Sequence, residues 1–471
     1  MIVEQNTIVV VMVPLPLQGH LNQLLHLSRL ISAHNVPVHF VCTTTHGRQV
    51  KLRVQGWNPN TMSTIFFHDL PIPPYETPPP NPNSTNKFPS HLQPLCEAAT
   101  HLRRPVTSLL HKLSPTTHRV VIIHDSLMSS VVQDFVSLPN AETYTFHSVS
   151  AFSTALYTSK KVGEQILKLI EPHDVTKEDL SFEGCFTPEF KRFIAVQHEY
   201  AKLSSGRIYN TCRVVEKPIL DLLEAEARSA NKLLWALGPF NPMELKSVPK
   251  VRRKDSGPVD RILNWLDKQA SNSVILVSFG TTTSFSQQQI IEIAIGLESS
   301  NQKFVWVLRE ADKGNVFSNN NTIDHAELPY GYEDRVKDQG LVVREWAPQL
   351  DILAHRSIGG FMSHCGWNSC IESMSMGVPI VAWPMHSDQP NNAVLLVKIL
   401  KLGFQVKDWS RREEVVVAAT VEKAVRRLMG TKEGEEIRTR AAALGFRVRK
   451  SVVDGGIAQT EFDSFIDHIK R

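Results

Sequence analysis

Apolar and polar positions divide this chain into short β-branched runs and longer stretches with helical spacing, and the two alternate through both halves. Thr7 to Val13 predicts a first strand. Leu15 to Gly19 predicts a loop. The stretch after it predicts a helix with Leu21, Leu24, Leu25 and Ile31 on its apolar side. Val120 to His124 predicts a buried strand, with Asp125 at its carboxyl end. The pattern restarts at Pro258, with a helix over Val259–Gln269, a strand over Val274–Phe279 and the turn Gly280-Thr281-Thr282-Thr283. Ile358–Met362 and Val378–Met385 predict two more buried strands. A last helix over Glu461–Lys470 keeps Phe462, Phe465, Ile466 and Ile469 on one side. Such alternation predicts an α/β protein with parallel sheets.

A chain of 471 residues is too long for one ordinary core and suits two domains. Between Asn241 and Gly257 the composition turns polar, basic and proline-containing, so the interdomain linker is set at residues 245–257. The first domain is then residues 1–244 and the second 258–450. The cluster Lys250, Arg252, Arg253 and Lys254 reads as exposed linker, and a net charge of +4 leaves no nucleic-acid footprint. Pro71 to Pro89, dense in proline and asparagine, predicts an extended loop that is either part of a ligand-pocket wall in the first half or a surface excursion. Gly314 to Thr322 predicts a mobile insertion.

The richest stretch runs from Trp346 to Gln389. It combines an aromatic plate, a strand, a small-residue turn with His364, a helix start, a carboxylate, a second strand and a closing Asp388-Gln389 pair. A helix that begins just after a strand aims unpaired N–H groups and the positive end of its dipole at the crevice above the sheet, where a diphosphate fits. His364, Asn368 and Ser369 add side-chain donors there. Glu372 lies one helical turn from Asn368, and its carboxylate can accept from two vicinal ribose hydroxyls. The turn with Thr281 and Thr282 suits phosphate or sugar contact, and an ordinary turn is the alternative. Singly, each residue has a plain explanation: Trp346 a core or rim aromatic, His364 a hydrogen-bonded structural histidine, Glu372 a solvated helix face. Their common register reverses that balance.

Near the N-terminus, His20 sits at a strand-to-helix junction. The helix dipole there disfavours imidazolium, so the ring is expected to be neutral and able to accept a proton. A simple helix-capping role is the alternative. Asp125 is the best partner to fix its tautomer, although an aspartate ending an apolar strand also serves as a cap for the helix after it.

In register and without a gap, the WAPQ opening, HCGWNS, the glutamate, GVP and the final DQ resemble the signature of plant secondary-product glycosyltransferases (family 1), which move a sugar from a UDP-sugar onto small molecules. The resemblance implies the GT-B fold, with two Rossmann-like domains facing a central cleft. It also implies that residues 451–471 form a helix packing back on the first domain. Trp346 would stack on uracil, with Ala347 and Gln349 near the base. His364, Asn368 and Ser369 would hold the diphosphate and Glu372 the ribose, while Trp367, Asp388 and Gln389 face the sugar. The terminal glutamine implies glucose, with UDP-xylose kept as an alternative donor. His20 and Asp125 fall where the family has its base and partner aspartate. Two departures stand out: Cys370 replaces a common threonine, and Gln23 a common proline. The run Gly19-His20-Leu21-Asn22-Gln23 is similar to the zeatin O-glucosyltransferase branch. That implies a zeatin-type cytokinin acceptor, with flavonoids, other phenolics and terpenoids as alternatives.

The resemblance thus implies an inverting O-glucosyltransferase acting without metal or cofactor. Its expected partners are a UDP-sugar and a small-molecule acceptor, with no nucleic acid and no membrane, for a cytoplasmic monomer. None of the six cysteines forms a Cys-x-x-Cys pair or a zinc set, which suits a reducing compartment. The N-terminus lacks a signal-peptide pattern, and no apolar stretch reaches bilayer-spanning length. Rival readings are a nucleotide-sugar-binding protein without activity and a hydrolase or epimerase on the same scaffold. A nicotinamide dehydrogenase would need a Gly-x-Gly-x-x-Gly turn, which the chain lacks.

Overall fold

Thirteen strands form two separate parallel sheets in the computed structural model, which describes residues 7–170, 175–243, 258–317 and 327–471. The expected linker 245–257, with its basic cluster, lies outside the described residues, as does the end of the Gly314–Thr322 insertion.

The first sheet contains β1 (Ile8–Val13), β2 (Val38–Thr43), β3 (Ile65–Leu70), β4 (Arg119–Asp125), β5 (Ala141–His147), β6 (Gly206–Tyr209) and β7 (Leu233–Ala236). Their spatial order is β3-β2-β1-β4-β5-β6-β7. The second contains β8 (Val274–Ser278), β9 (Lys303–Val307), β10 (Gly340–Val343), β11 (Ile358–Ser363), β12 (Ile380–Ala382) and β13 (Gly403–Gln405), in the order β10-β9-β8-β11-β12-β13. Both faces of each sheet are covered, which is why the strands read as unbroken apolar runs. On β1, Val10 and Met12 pack with Leu21, Leu24 and Leu25, whereas Val9, Val11 and Val13 pack with Leu102, Val106 and Leu110 on the other face.

Strand order reverses between β1 and β4 in the first sheet and between β8 and β11 in the second. At such a reversal the crossover helices leave toward opposite faces and open a crevice beyond the carboxyl ends of the strands. His20 comes after β1 and Asp125 ends β4, and Val13 pairs with His124 between those strands. The Gly280–Thr283 turn comes after β8, and His364 after β11. His20, Asp125, the Gly280–Thr283 turn and His364 thus sit at the two switch points, whereas Trp346, Ala347 and Gln349 follow the edge strand β10 and Asp388 and Gln389 follow β12.

Some boundaries differ from the expected ones. The helix bearing His20 spans Gln18–Ser32, so Gln18 and Gly19 belong to its first turn and not to the preceding loop. The strand expected over Val378–Met385 shrinks to Ile380–Ala382, because Pro379 and Pro384 flank it and neither can donate to the ladder. The last helix, Ile457–Ile469, inserts Phe462, Phe465, Ile466 and Ile469 into the core of the first sheet. Among the described residues no helix is long and apolar enough to cross a membrane.

Candidate active site

One cleft between the two sheets is lined by His20, Thr281, Thr282, Trp346, Ala347, Gln349, His364, Trp367, Asn368, Ser369, Glu372, Asp388 and Gln389. Asp125 lies behind this surface, fully buried, and is paired with His20, which lines the cleft.

His20 Nδ1 stands 2.6 Å from Asp125 Oδ2. The other carboxylate oxygen, Oδ1, accepts from the backbone N–H of Leu127 at 2.9 Å. The capping and pairing alternatives for Asp125 are therefore both realised, one per oxygen. A carboxylate facing Nδ1 keeps the neutral ring's proton there and leaves Nε2 as the acceptor. The expectation that the helix dipole governs the charge of His20 needs correction. Burial does push its pKa down, but the charge of Asp125, the hydrogen bond to it and the charge of Asp388 outweigh burial, and the net shift is upward.

On the donor side, the helix Trp367–Met376 starts at Gly366, and its first intrahelical N–H bond is that of Cys370 to Gly366 O. The N–H groups ahead of it open onto the cleft. Cys365 and Ser387 hold left-handed backbone, with φ of 63° and 58°, at two turns of this rim. His364 is buried, its Nδ1 has no partner, and burial lowers its pKa to about 4. It therefore offers the cleft a neutral ring. Gly280 and Gly366 clasp that ring so closely that a Cβ on either would come within 2.5 Å of Nε2. Glu372 accepts from Gln349 Nε2 at 2.7 Å, and the same amide reaches Ser369 Oγ at 3.0 Å. Burial raises the Glu372 pKa to about 7 and that of Asp388 to about 6.

Several side chains are already partly engaged. Trp367 Nε1 donates to Asn210 O at 2.9 Å and Asn368 Nδ2 to Gly19 O at 2.8 Å, both across the cleft. Gln389 Oε1 accepts from the N–H groups of Met385 and His386, and its Nε2 lies 3.4 Å from each ring nitrogen of His386. Thr282 Oγ1 lies 3.2 Å from His386 Nε2. Over the Trp346 ring stand two guanidinium groups, Arg53 at 4.5 Å and Arg309 at 5.2 Å. Arg53 comes from the other half of the chain and is held by Asp312 at 2.5 and 3.1 Å.

Sequence reasoning missed Arg53, which no local pattern marks, and the aromatic wall of the cleft. That wall is Phe88, Tyr157, Phe182, Phe186 and Phe190. Phe186 and Phe190 stack with centroids 6.0 Å apart, and Phe88 meets Phe190 at 4.6 Å. The four-residue spacing of Phe182, Phe186 and Phe190 was the available signal. The proline-rich loop joins this wall through Phe88 and Pro89. It also bridges to the second half, where Tyr75 donates to Gly314 O at 3.0 Å.

Residues 6–242 match the glycosyltransferase N-terminal domain, and residues 223–429 match the UDP-glucoronosyl and UDP-glucosyl transferase family. The chain is 52% identical to zeatin O-glucosyltransferase of Phaseolus lunatus, covering 99% of this chain and 98% of that one. It is 50% identical to zeatin O-xylosyltransferase of Phaseolus vulgaris, covering 99% of each. A transferase from Siraitia grosvenorii solved in complex with UDP superposes with a TM-score of 0.74 at 28% identity, over 99% of this chain and 100% of that one. With two facing Rossmann-like domains in the GT-B arrangement and both halves matched, the chain belongs to the UDP-dependent glycosyltransferases of plants and is a transferase.

Proposed function

We propose that the protein transfers glucose from UDP-glucose to the hydroxyl of a zeatin-type cytokinin, with inversion at the anomeric carbon. The observation that carries the reaction is His20, paired to Asp125 at 2.6 Å, set across one cleft from the donor motif. His20 Nε2 takes the hydroxyl proton. The oxygen attacks the anomeric carbon from the face opposite the diphosphate, the bond from that carbon to the phosphate oxygen breaks, and UDP leaves. Asp125 stabilises the imidazolium formed. An α-linked donor then gives a β-glucoside.

On the donor side, Trp346 with Ala347 and Gln349 takes uracil, and Glu372 takes the ribose hydroxyls. The start of the Trp367–Met376 helix, with His364, Asn368 and Ser369, takes the diphosphate. Thr281, Thr282, Asp388 and Gln389 face phosphate and sugar. Charge on the departing diphosphate is met by helix N–H groups and neutral donors, a scheme that needs no metal. Glu372→Ala removes hydrogen bonds to a carboxylate, so the KM for UDP-glucose rises about tenfold or more with a smaller change in kcat. Steady-state kinetics at saturating acceptor checks this.

The acceptor class is supported by the two zeatin-specific relatives and by the aromatic wall, whose flat faces suit a purine ring. Phe186→Ala is expected to raise the acceptor KM about tenfold and leave the KM for UDP-glucose unchanged. Xylose is a second reading for the sugar, favoured by the 50% identity to the xylosyltransferase. Six buried free cysteines support a reducing compartment such as the cytoplasm. The test is a product assay by mass spectrometry with UDP-glucose or UDP-xylose against trans-zeatin, cis-zeatin, dihydrozeatin, flavonoids and terpenoid alcohols. A hexose added to a zeatin is the expected outcome. Transfer to phenolics alone would remove the cytokinin assignment, and a pentose preference would replace glucose.

A further inference from the structure

We infer that Gln23 is a positioning residue for the transfer step, holding the start of the catalytic helix in register with the donor helix across the cleft. Its side chain is buried, and both ends of its amide are used. Nε2 donates to Gly19 O at 3.2 Å and to Ser148 O at 2.8 Å, and Oε1 accepts from Asn210 Nδ2 at 3.0 Å. Two carbonyl acceptors on one side and an amide donor on the other fix which end of the group is oxygen. Asn210 is fixed in the same way, because its Oδ1 accepts from the N–H of Phe240 at 3.0 Å.

From this pair of amides, two bonds run to the other half of the chain. Trp367 Nε1 donates to Asn210 O at 2.9 Å, and Asn368 Nδ2 donates to Gly19 O at 2.8 Å. The Gly19 carbonyl, which belongs to the peptide leading into His20, thus receives one side-chain amide from its own helix and one from the donor helix. Trp367 and Asn368 are the first residues of the helix whose N–H groups open onto the cleft. The peptide carrying the base and the helix start facing the diphosphate are joined by one hydrogen-bonded set, in which Gln23 makes three bonds.

The His20 ring has only two side-chain torsions beyond its backbone, and its Nδ1 is already held by Asp125. A tilt of the Gly19–His20 peptide therefore moves Nε2 relative to the donor. A misplacement of about 1 Å at a reacting centre costs on the order of a hundredfold in rate. Loosening the same set also weakens two bonds that join the halves beside a site where transfer depends on excluding water.

This inference rests on His20 being the base, which His20→Ala tests separately: near-normal transfer in that variant would remove the base assignment and the inference with it. The inference itself is tested with Gln23→Met, which removes all three bonds at nearly constant length. Gln23→Glu keeps the acceptor toward Asn210 and loses both donors, and it carries the test if the methionine variant does not fold. In each, kcat with the preferred acceptor, the Kd for UDP, the melting temperature and the share of UDP-glucose lost to water are measured. The expected result is a kcat lowered about tenfold or more, a larger share lost to water, and a Kd for UDP within about twofold of the parent value. An unchanged kcat and water share with a lowered melting temperature would make Gln23 a packing residue and overturn the inference. A Kd for UDP that rises as far as kcat falls would also overturn it, by placing the effect on donor binding.

Discussion

His20→Ala lowers kcat/KM for transfer by about a thousandfold, within the range for loss of a positioned general base, while the Kd for UDP stays near its parent value. The separation comes from where the ring sits. His20 lines the cleft from the first sheet, whereas the proposed nucleotide contacts come from the second. Without Nε2 the acceptor hydroxyl keeps its proton until late in the attack, and the oxygen is a poor nucleophile. Kinetics with calorimetric UDP binding checks both halves of the expectation. A parallel loss of UDP binding would place His20 in the donor site instead.

Asp125→Asn has a second large effect, a fall in kcat of about a hundredfold to ten-thousandfold. An amide facing Nδ1 can present its N–H there, which turns the ring to the tautomer that protonates Nε2 and blocks it as an acceptor. The variant also moves the pH profile. In the parent, the carboxylates of Asp125 and Asp388 hold the His20 pKa above 6.5 against the opposing effect of burial. The base is inactive when protonated, so kcat/KM should rise with pH through a value above 6.5 and then level off. Removing the Asp125 charge leaves burial less opposed, the His20 pKa falls, and the acid limb of the residual activity shifts to lower pH. A limb that stays in place would show that another group sets it.

The donor side was legible because its parts are contiguous. Strand, turn and helix start succeed one another from Ile358 to Glu372, so side chains that meet in space are also near in sequence. His20 and Asp125 were legible for a related reason: Asp125 ends the apolar strand β4, and His20 lies in the first turn of the helix that follows the β-branched strand β1. The charge of His20 was not, because it depends on a carboxylate 105 residues away. Nor was the cover that Arg53 places over Trp346, which needs the two domains closed on each other. The short β12 was readable in principle, as Pro379 and Pro384 bracket it, but the apolar run hid the missing donors. Gln23 stood out as a departure at a motif position, while its purpose emerged only from partners at Ser148 and Asn210.

The most direct measurement is the structure of the product formed from UDP-glucose and trans-zeatin, determined by proton NMR after purification. The expected product is a single β-glucoside on the side-chain hydroxyl, absent from the His20→Ala reaction. An α-linked product, glucose on a ring nitrogen, or the same product at undiminished rate from His20→Ala would contradict inverting O-transfer by His20 and Asp125.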